Sequence, residues 1–77
     1  MFTRELHHEG HTQRFTVREQ GADGWEVREE RDTEVTRRVC YTDWHRVERA
    51  ITTFSRRVME LEARGWSERP AAHSTNR

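Results

Sequence analysis

The chain has 77 residues, 31% of them hydrophobic and 36% charged, so we expect one small domain with a thin core. Its 14 basic and 14 acidic residues balance, which argues against a strongly basic nucleic-acid binder or an acidic decoy. Cys40 is the only cysteine, which excludes an internal disulfide and a multi-cysteine zinc site and fits a reducing compartment.

The first two predicted strands form a hairpin around Glu9 and Gly10, because glycine tolerates the backbone of a two-residue turn. Residues 2–8 and 11–19 alternate apolar and polar side chains. Pairing Leu6 with Gln13 puts one apolar set on a single face. This set is Phe2, Leu6, Phe15 and Val17.

Two further strands continue the sheet. The turn-forming segment 20–24 precedes an alternating strand that begins at Trp25, with Val27 on the apolar face. After a second polar turn at 31–33, alternation indicates a fourth strand. Its apolar positions are Val35, Val39 and Tyr41, and its polar positions are Thr36, Arg38 and Cys40.

Thr42 and Asp43 predict the start of a long helix, since either side chain can cap free backbone N–H groups. Apolar residues then recur at spacings of three and four, as on one face of an amphipathic helix. They are Trp44, Val47, Ile51, Phe54, Val58 and Leu61. Gly65 predicts the helix end, with Trp66 folding back on Leu61.

These elements predict an α+β fold class: a four-stranded antiparallel β-meander followed by one long C-terminal amphipathic helix packed on one sheet face, in the order ββββα. The domain spans residues 1–66, and residues 67–77 form a flexible tail. With no signal-peptide pattern and no apolar run long enough to span a membrane, we expect a cytoplasmic protein. All 14 basic residues are arginines, typical of a GC-rich bacterial genome or of a need for rigid bidentate donors.

We expect no enzyme activity, no cofactor and no small-molecule substrate. Cys40 falls on a strand and His45 at the helix start, so they do not form a nucleophile and its base. Gly21 and Gly24 belong to a hairpin rather than to a strand-to-helix phosphate loop.

Histidines cluster in the first turn, where His8 would face His11 while His7 points to the other side. Imidazoles bind zinc, nickel or copper, but two convergent ligands, even with Glu9, are few for a tight site. A solvated turn is the favoured interpretation, and a metal site at His8 and His11 is the alternative.

The favoured function is a protein–protein surface, because three tryptophans and three phenylalanines exceed what a thin core hides. Candidate interface residues at the margin of the apolar stripe are Trp25, Trp44, Met59 and Trp66. Their alternative role is as the edge of the core. We therefore expect a small non-enzymatic interaction module that self-associates, as a homodimer, and binds a protein partner.

The polar sheet face suggests a second function, single-stranded nucleic-acid binding, because arginines on an open sheet can follow a phosphate backbone. The candidates are Arg14, Arg18, Arg28 and Arg38. Two observations oppose it: the face lacks an aromatic side chain for stacking, and glutamates share it. These glutamates, which we expect to be solvated, are Glu5, Glu26, Glu30 and Glu34.

The order of elements is similar to that of single-stranded-DNA-binding transcriptional coactivators of the positive-cofactor-four type. The resemblance rests on FTVR at 15–18, WEVRE at 25–29 and TDW at 42–44, and covers about residues 13–62. It implies a dimer with a basic sheet face. Because this chain has no lysine and places glutamates among the arginines, no binding residue is transferred from that family.

Overall fold

The computed structural model describes residues 2–69, which form one antiparallel sheet with a 20-residue helix packed on one face. The elements are β1 (Phe2–His8), β2 (His11–Glu19), a short 3₁₀ turn (Gly21–Asp23), β3 (Trp25–Arg31), β4 (Glu34–Tyr41), α1 (Trp44–Ala63) and β5 (Ser67–Arg69). The predicted α+β class and the order of the first four strands and the helix are confirmed. Within this part of the chain, no helix has the length and apolar character needed to cross a membrane.

The β1–β2 hairpin has the predicted register, with Leu6 opposite Gln13 and Phe2 opposite Val17. Glu9 and Gly10 in the turn both have positive φ, 49° and 82°, as a two-residue turn between twisted strands requires. Val17 also faces Val27 on β3. The apolar side chains of three strands therefore lie on one face of the sheet.

A fifth strand, which the sequence analysis did not predict, extends the sheet on the β1 side. The helix ends at a Schellman motif, in which the Trp66 N–H donates to the Leu61 carbonyl at 3.0 Å and Gly65 has φ 101°. This reversal brings Ser67–Arg69 alongside β1 as an antiparallel edge strand. Residues 67–69 are thus part of the sheet rather than of the predicted tail, and residues 70–77 lie outside the described residues.

The fourth strand departs from strict alternation, which corrects the placement of Val35. A bulge pairs Glu30 with Val35 and Glu29 with Arg37, so Thr36 is an extra residue. Because an extra residue inverts the alternation beyond it, Val35 lies on the charged face, 51% exposed, instead of on the apolar face. Glu34 was expected on the charged face, but it is opposite Arg31 and lies on the other face for the same reason.

The core lies between α1 and the apolar face of the sheet. Its buried side chains are Leu6, Phe15, Val17, Val27, Val47, Phe54, Val58 and Leu61. The ring of Phe54 lies 4.9 Å from that of Phe15 and 6.2 Å from that of Phe2, between centroids. The Asp43 side chain accepts the His45 N–H at 3.0 Å and so caps the helix as predicted.

Candidate functional site

A buried carboxylate lies on the charged face of the sheet. Glu26 on β3 is 1% exposed, which corrects the expectation of a solvated side chain. The Arg18 Nε donates to Glu26 Oε1 at 2.8 Å. Arg28 donates from Nη2 to Oε1 and Oε2 at 3.1 and 3.2 Å, and the Arg38 Nε donates to Oε2. Three guanidinium groups from three strands therefore cover one carboxylate.

Strand pairing explains this convergence. Arg18 on β2 is directly opposite Glu26, and Arg38 on β4 is directly opposite Arg28, two residues along β3 from Glu26. Directly opposite and diagonal side chains on one face are within reach of each other. We call Glu26 with Arg18, Arg28 and Arg38 the Glu26 cluster.

The arginines keep Glu26 ionised. Their hydrogen bonds, that from Arg38 above all, lower the pKa of Glu26 to about 2 against the opposing effect of burial. The same bond raises the pKa of Arg38. Three guanidinium groups against one carboxylate leave a local surplus of positive charge, and the side chains of Arg18 and Arg38 are more than half exposed.

Arg14, the fourth arginine of the predicted set, belongs to a separate group on the same face. Its Nε lies 3.1 Å from Glu5 Oε1, and its Nη1 lies 3.7 Å from Glu30 Oε1. Glu5 Oε2 is also 2.7 Å from His7 Nε2. Arg14 is therefore held by two carboxylates, and the structure brings together only three of the four predicted arginines.

The predicted interface residues are divided between the two ends and one flank of α1. Trp25 and Trp44 contact each other at the helix start, with ring centroids 5.3 Å apart. Trp66 follows the helix end and packs against His8 at 5.4 Å, whereas Met59 stands 70% exposed. A helix of this length spans about 30 Å, so the four side chains do not form one patch.

A groove that the sequence did not reveal lies between α1 and the β3–β4 side of the sheet. Its main cavity has a volume of about 360 Å³. The apolar floor is formed by Val27, Tyr41, Ala50 and Phe54. The groove exists because β4 is the outermost strand on this side and its side chains are mostly exposed.

Arginines dominate the rim of this groove and of the smaller hollow that continues it along α1. They are Arg37, Arg46, Arg49, Arg56 and Arg57, against Glu29 and Glu60. Arg37 Nη1 lies 4.0 Å from Glu29 Oε2. Within residues 2–69 the other four guanidinium groups have no carboxylate within 4.0 Å. The rim thus carries four arginines without a carboxylate partner in the described residues, above an apolar floor.

The histidines of the first turn have different side-chain partners within the described residues. His8 and His11 are paired across the hairpin, but His8 packs on Trp66 while His11 Nδ1 lies 3.4 Å from Asp32 Oδ2. In the described part of the chain, no three His, Cys, Asp or Glu side chains are grouped as they would be around a metal ion. Cys40 is exposed and its thiol donates to Gln20 Oε1 at 3.5 Å.

Comparisons of this chain with protein-family models, with curated proteins and with solved structures found no match. The similarity to single-stranded-DNA-binding coactivators therefore rests on the order of elements and on the three short segments at 15–18, 25–29 and 42–44. The two sides of the sheet differ: the Glu26 cluster lies on one, and the groove beside α1 lies on the other.

Proposed function

We propose that the protein is a non-enzymatic interaction module that makes protein–protein contacts, with itself and with a protein partner, through the helix side of the sheet. The observation that carries the proposal is the groove, in which the half-buried Tyr41 and Ala50 and the core residues Val27 and Phe54 form an apolar floor. Arginines form the rim above it. Concave apolar surfaces with a polar rim are typical binding sites.

The edge of β4 favours contacts in the groove over strand addition. β4 is an outer strand of the described sheet, so its edge is open. However, it carries Arg37 and Arg38 and is interrupted by the bulge at Thr36. Charged side chains and bulges on edge strands hinder pairing with another strand. A partner is therefore expected to bind mainly through side chains in the groove.

Site-specific photo-crosslinking in the producing cells tests which side of the sheet makes contacts. A photoreactive residue at Thr53, which lines the groove, is expected to form protein adducts. The same residue at Thr3, exposed on the charged face opposite Thr16, is expected to form few. A captured protein is then identified, purified and tested for binding to the Arg49→Glu variant, with Arg64→Glu as the control.

Binding of the purified partner should be weakened by Arg49→Glu, since this reverses a rim charge, and unchanged by Arg64→Glu. Arg64 is exposed and lies 15 positions further along the helix, about 22 Å at 1.5 Å per residue. Adducts at Thr3 without adducts at Thr53 would contradict the proposal, as would equal binding to both variants.

Single-stranded nucleic-acid binding through the charged face is the second candidate, favoured by one observation. The charge of Glu26 is exceeded by its three arginines, and Glu34 has left the face, so this side is more positive than the sequence indicates. Co-elution with a single-stranded oligonucleotide at about 50 mM salt that is lost near 200 mM would support this function. The Arg18→Gln variant should co-elute more weakly.

A further inference from the structure

We infer that the occupant of the groove is a second copy of this chain, which inserts Met59 into the groove and presents glutamates of the same helix flank to its arginine rim. This inference rests on the proposed function and names the partner at that surface.

A stripe with a glutamate at each end runs along the flank of α1 opposite the groove. Its residues recur at spacings of four and three and so share one side of the helix. They are Glu48, Thr52, Ser55, Met59 and Glu62. Four of them are exposed, and Met59, at 70%, is the most exposed large apolar side chain in the described chain. We call this set the Met59 stripe.

The groove and the Met59 stripe are complementary in charge. Arg46 and Arg49 on the groove rim have no carboxylate within 4.0 Å inside residues 2–69. On the stripe, Glu48 and Glu62 are exposed. Glu48 Oε1 lies 3.7 Å from His45 Nδ1, and within residues 2–69 neither carboxylate has an arginine within 4.0 Å. Arginine binds carboxylates in a bidentate manner, which makes such pairs strong and directional. The chain is neutral overall, so this complementarity comes from segregation of charge to the two flanks of one helix.

The two surfaces are also complementary in apolar content. The cavity of about 360 Å³ has an apolar floor and space for a flexible side chain. Methionine is unbranched and adapts to irregular cavities. A chain of this size hides a smaller fraction of its surface on folding than a larger domain does, so burial of Met59 against Tyr41 and Ala50 of another copy would add stability. Each copy presents both surfaces, so the contact can form between the groove of one copy and the Met59 stripe of the next.

A mixing experiment tests this inference. Met59→Arg places a positive charge on the stripe, and Arg49→Glu places a negative charge on the rim. In light-scattering measurements we expect the unmodified protein to self-associate, each variant alone to associate roughly tenfold more weakly, and a one-to-one mixture of the two to recover association. Recovery is expected because one contact in the mixed pair keeps both original surfaces.

Arg64→Glu and Thr3→Arg are the control variants, since they change charge away from both surfaces, and circular dichroism verifies that every variant is folded. A monomeric unmodified protein at all concentrations would overturn the inference. So would a mixture that remains as weakly associated as its components. If Thr53 still captures a different protein whose binding depends on Arg49, binding of a protein partner in the groove stands, and self-association through the groove is wrong.

Discussion

Replacing Glu26 with alanine is expected to destabilise the fold by about 2 kcal/mol, because it removes charge-assisted hydrogen bonds from three arginines and leaves Arg28, 29% exposed, without a carboxylate partner. Arg18, Arg28 and Arg38 would then face one another without their shared carboxylate. Urea unfolding measures the change in free energy.

Glu30→Ala is the matched control on the same strand and face. Glu30 has one long ion pair, 3.7 Å from Arg14, so its loss should cost less than about 1 kcal/mol. Equal losses for Glu26→Ala and Glu30→Ala would show that the Glu26 cluster contributes no more than an ordinary surface pair.

The Glu26 cluster also predicts acid sensitivity. The pKa of Glu26 is about 2 in the folded protein and 4.5 as its ordinary value. Because the folded pKa is the lower one, the stabilisation is present above about pH 4.5 and is lost as the pH falls towards 2. The Glu26→Gln variant has no carboxyl group to titrate at this position. Its melting temperature should therefore fall less than that of the unmodified protein between pH 4.5 and pH 2. Melting temperatures that fall equally with pH in the two proteins would contradict the role assigned to Glu26.

Replacing Phe54 with alanine is expected to cost about 3–5 kcal/mol, the usual loss for a buried aromatic side chain. Phe54 is 4% exposed and joins α1 to the sheet through Phe15 and Phe2. Small domains are stable by about 5–15 kcal/mol, so this variant should be largely unfolded under mild denaturing conditions.

Thr52→Ala, on an exposed part of the same helix, is the control and should change the free energy of unfolding by no more than about 0.5 kcal/mol. Thermal unfolding followed by circular dichroism compares the two variants. A loss below about 1 kcal/mol for Phe54→Ala would mean that α1 does not pack on the sheet as described.

Most of the fold could be predicted because its elements follow simple periodicities. Alternation fixed the first hairpin through pairs such as Leu6 with Gln13, and spacings of three and four identified α1. The bulge at Thr36 was not predicted, since Val35 and Val39 are four residues apart, as strict alternation requires, and the charged Arg37 between them is the one sign of an irregularity in the sequence. Ser67–Arg69 has no strand pattern, and it becomes a strand because the helix ending places it beside β1.

The candidate site was harder to predict because it depends on tertiary packing. Alternation correctly places Glu26 and its arginines on one face, and the register puts Arg18 opposite Glu26. It does not show that long arginine side chains fold over the carboxylate and bury it. The basic flank of α1 is visible in the spacing of Arg46 and Arg49, but only the structure shows that this flank faces the open β4 side.

The most direct test of the central claim is a map of backbone amide chemical shifts as the concentration of ¹⁵N-labelled protein increases, with and without a single-stranded oligonucleotide. If the helix side makes the contacts, the amides of Ala50, Thr53 and Met59 shift with concentration, and the oligonucleotide changes little at about 150 mM salt. Shifts confined to Arg18, Arg28 and Arg38 on addition of the oligonucleotide, with no concentration dependence along α1, would contradict the claim and identify the charged face as the binding surface.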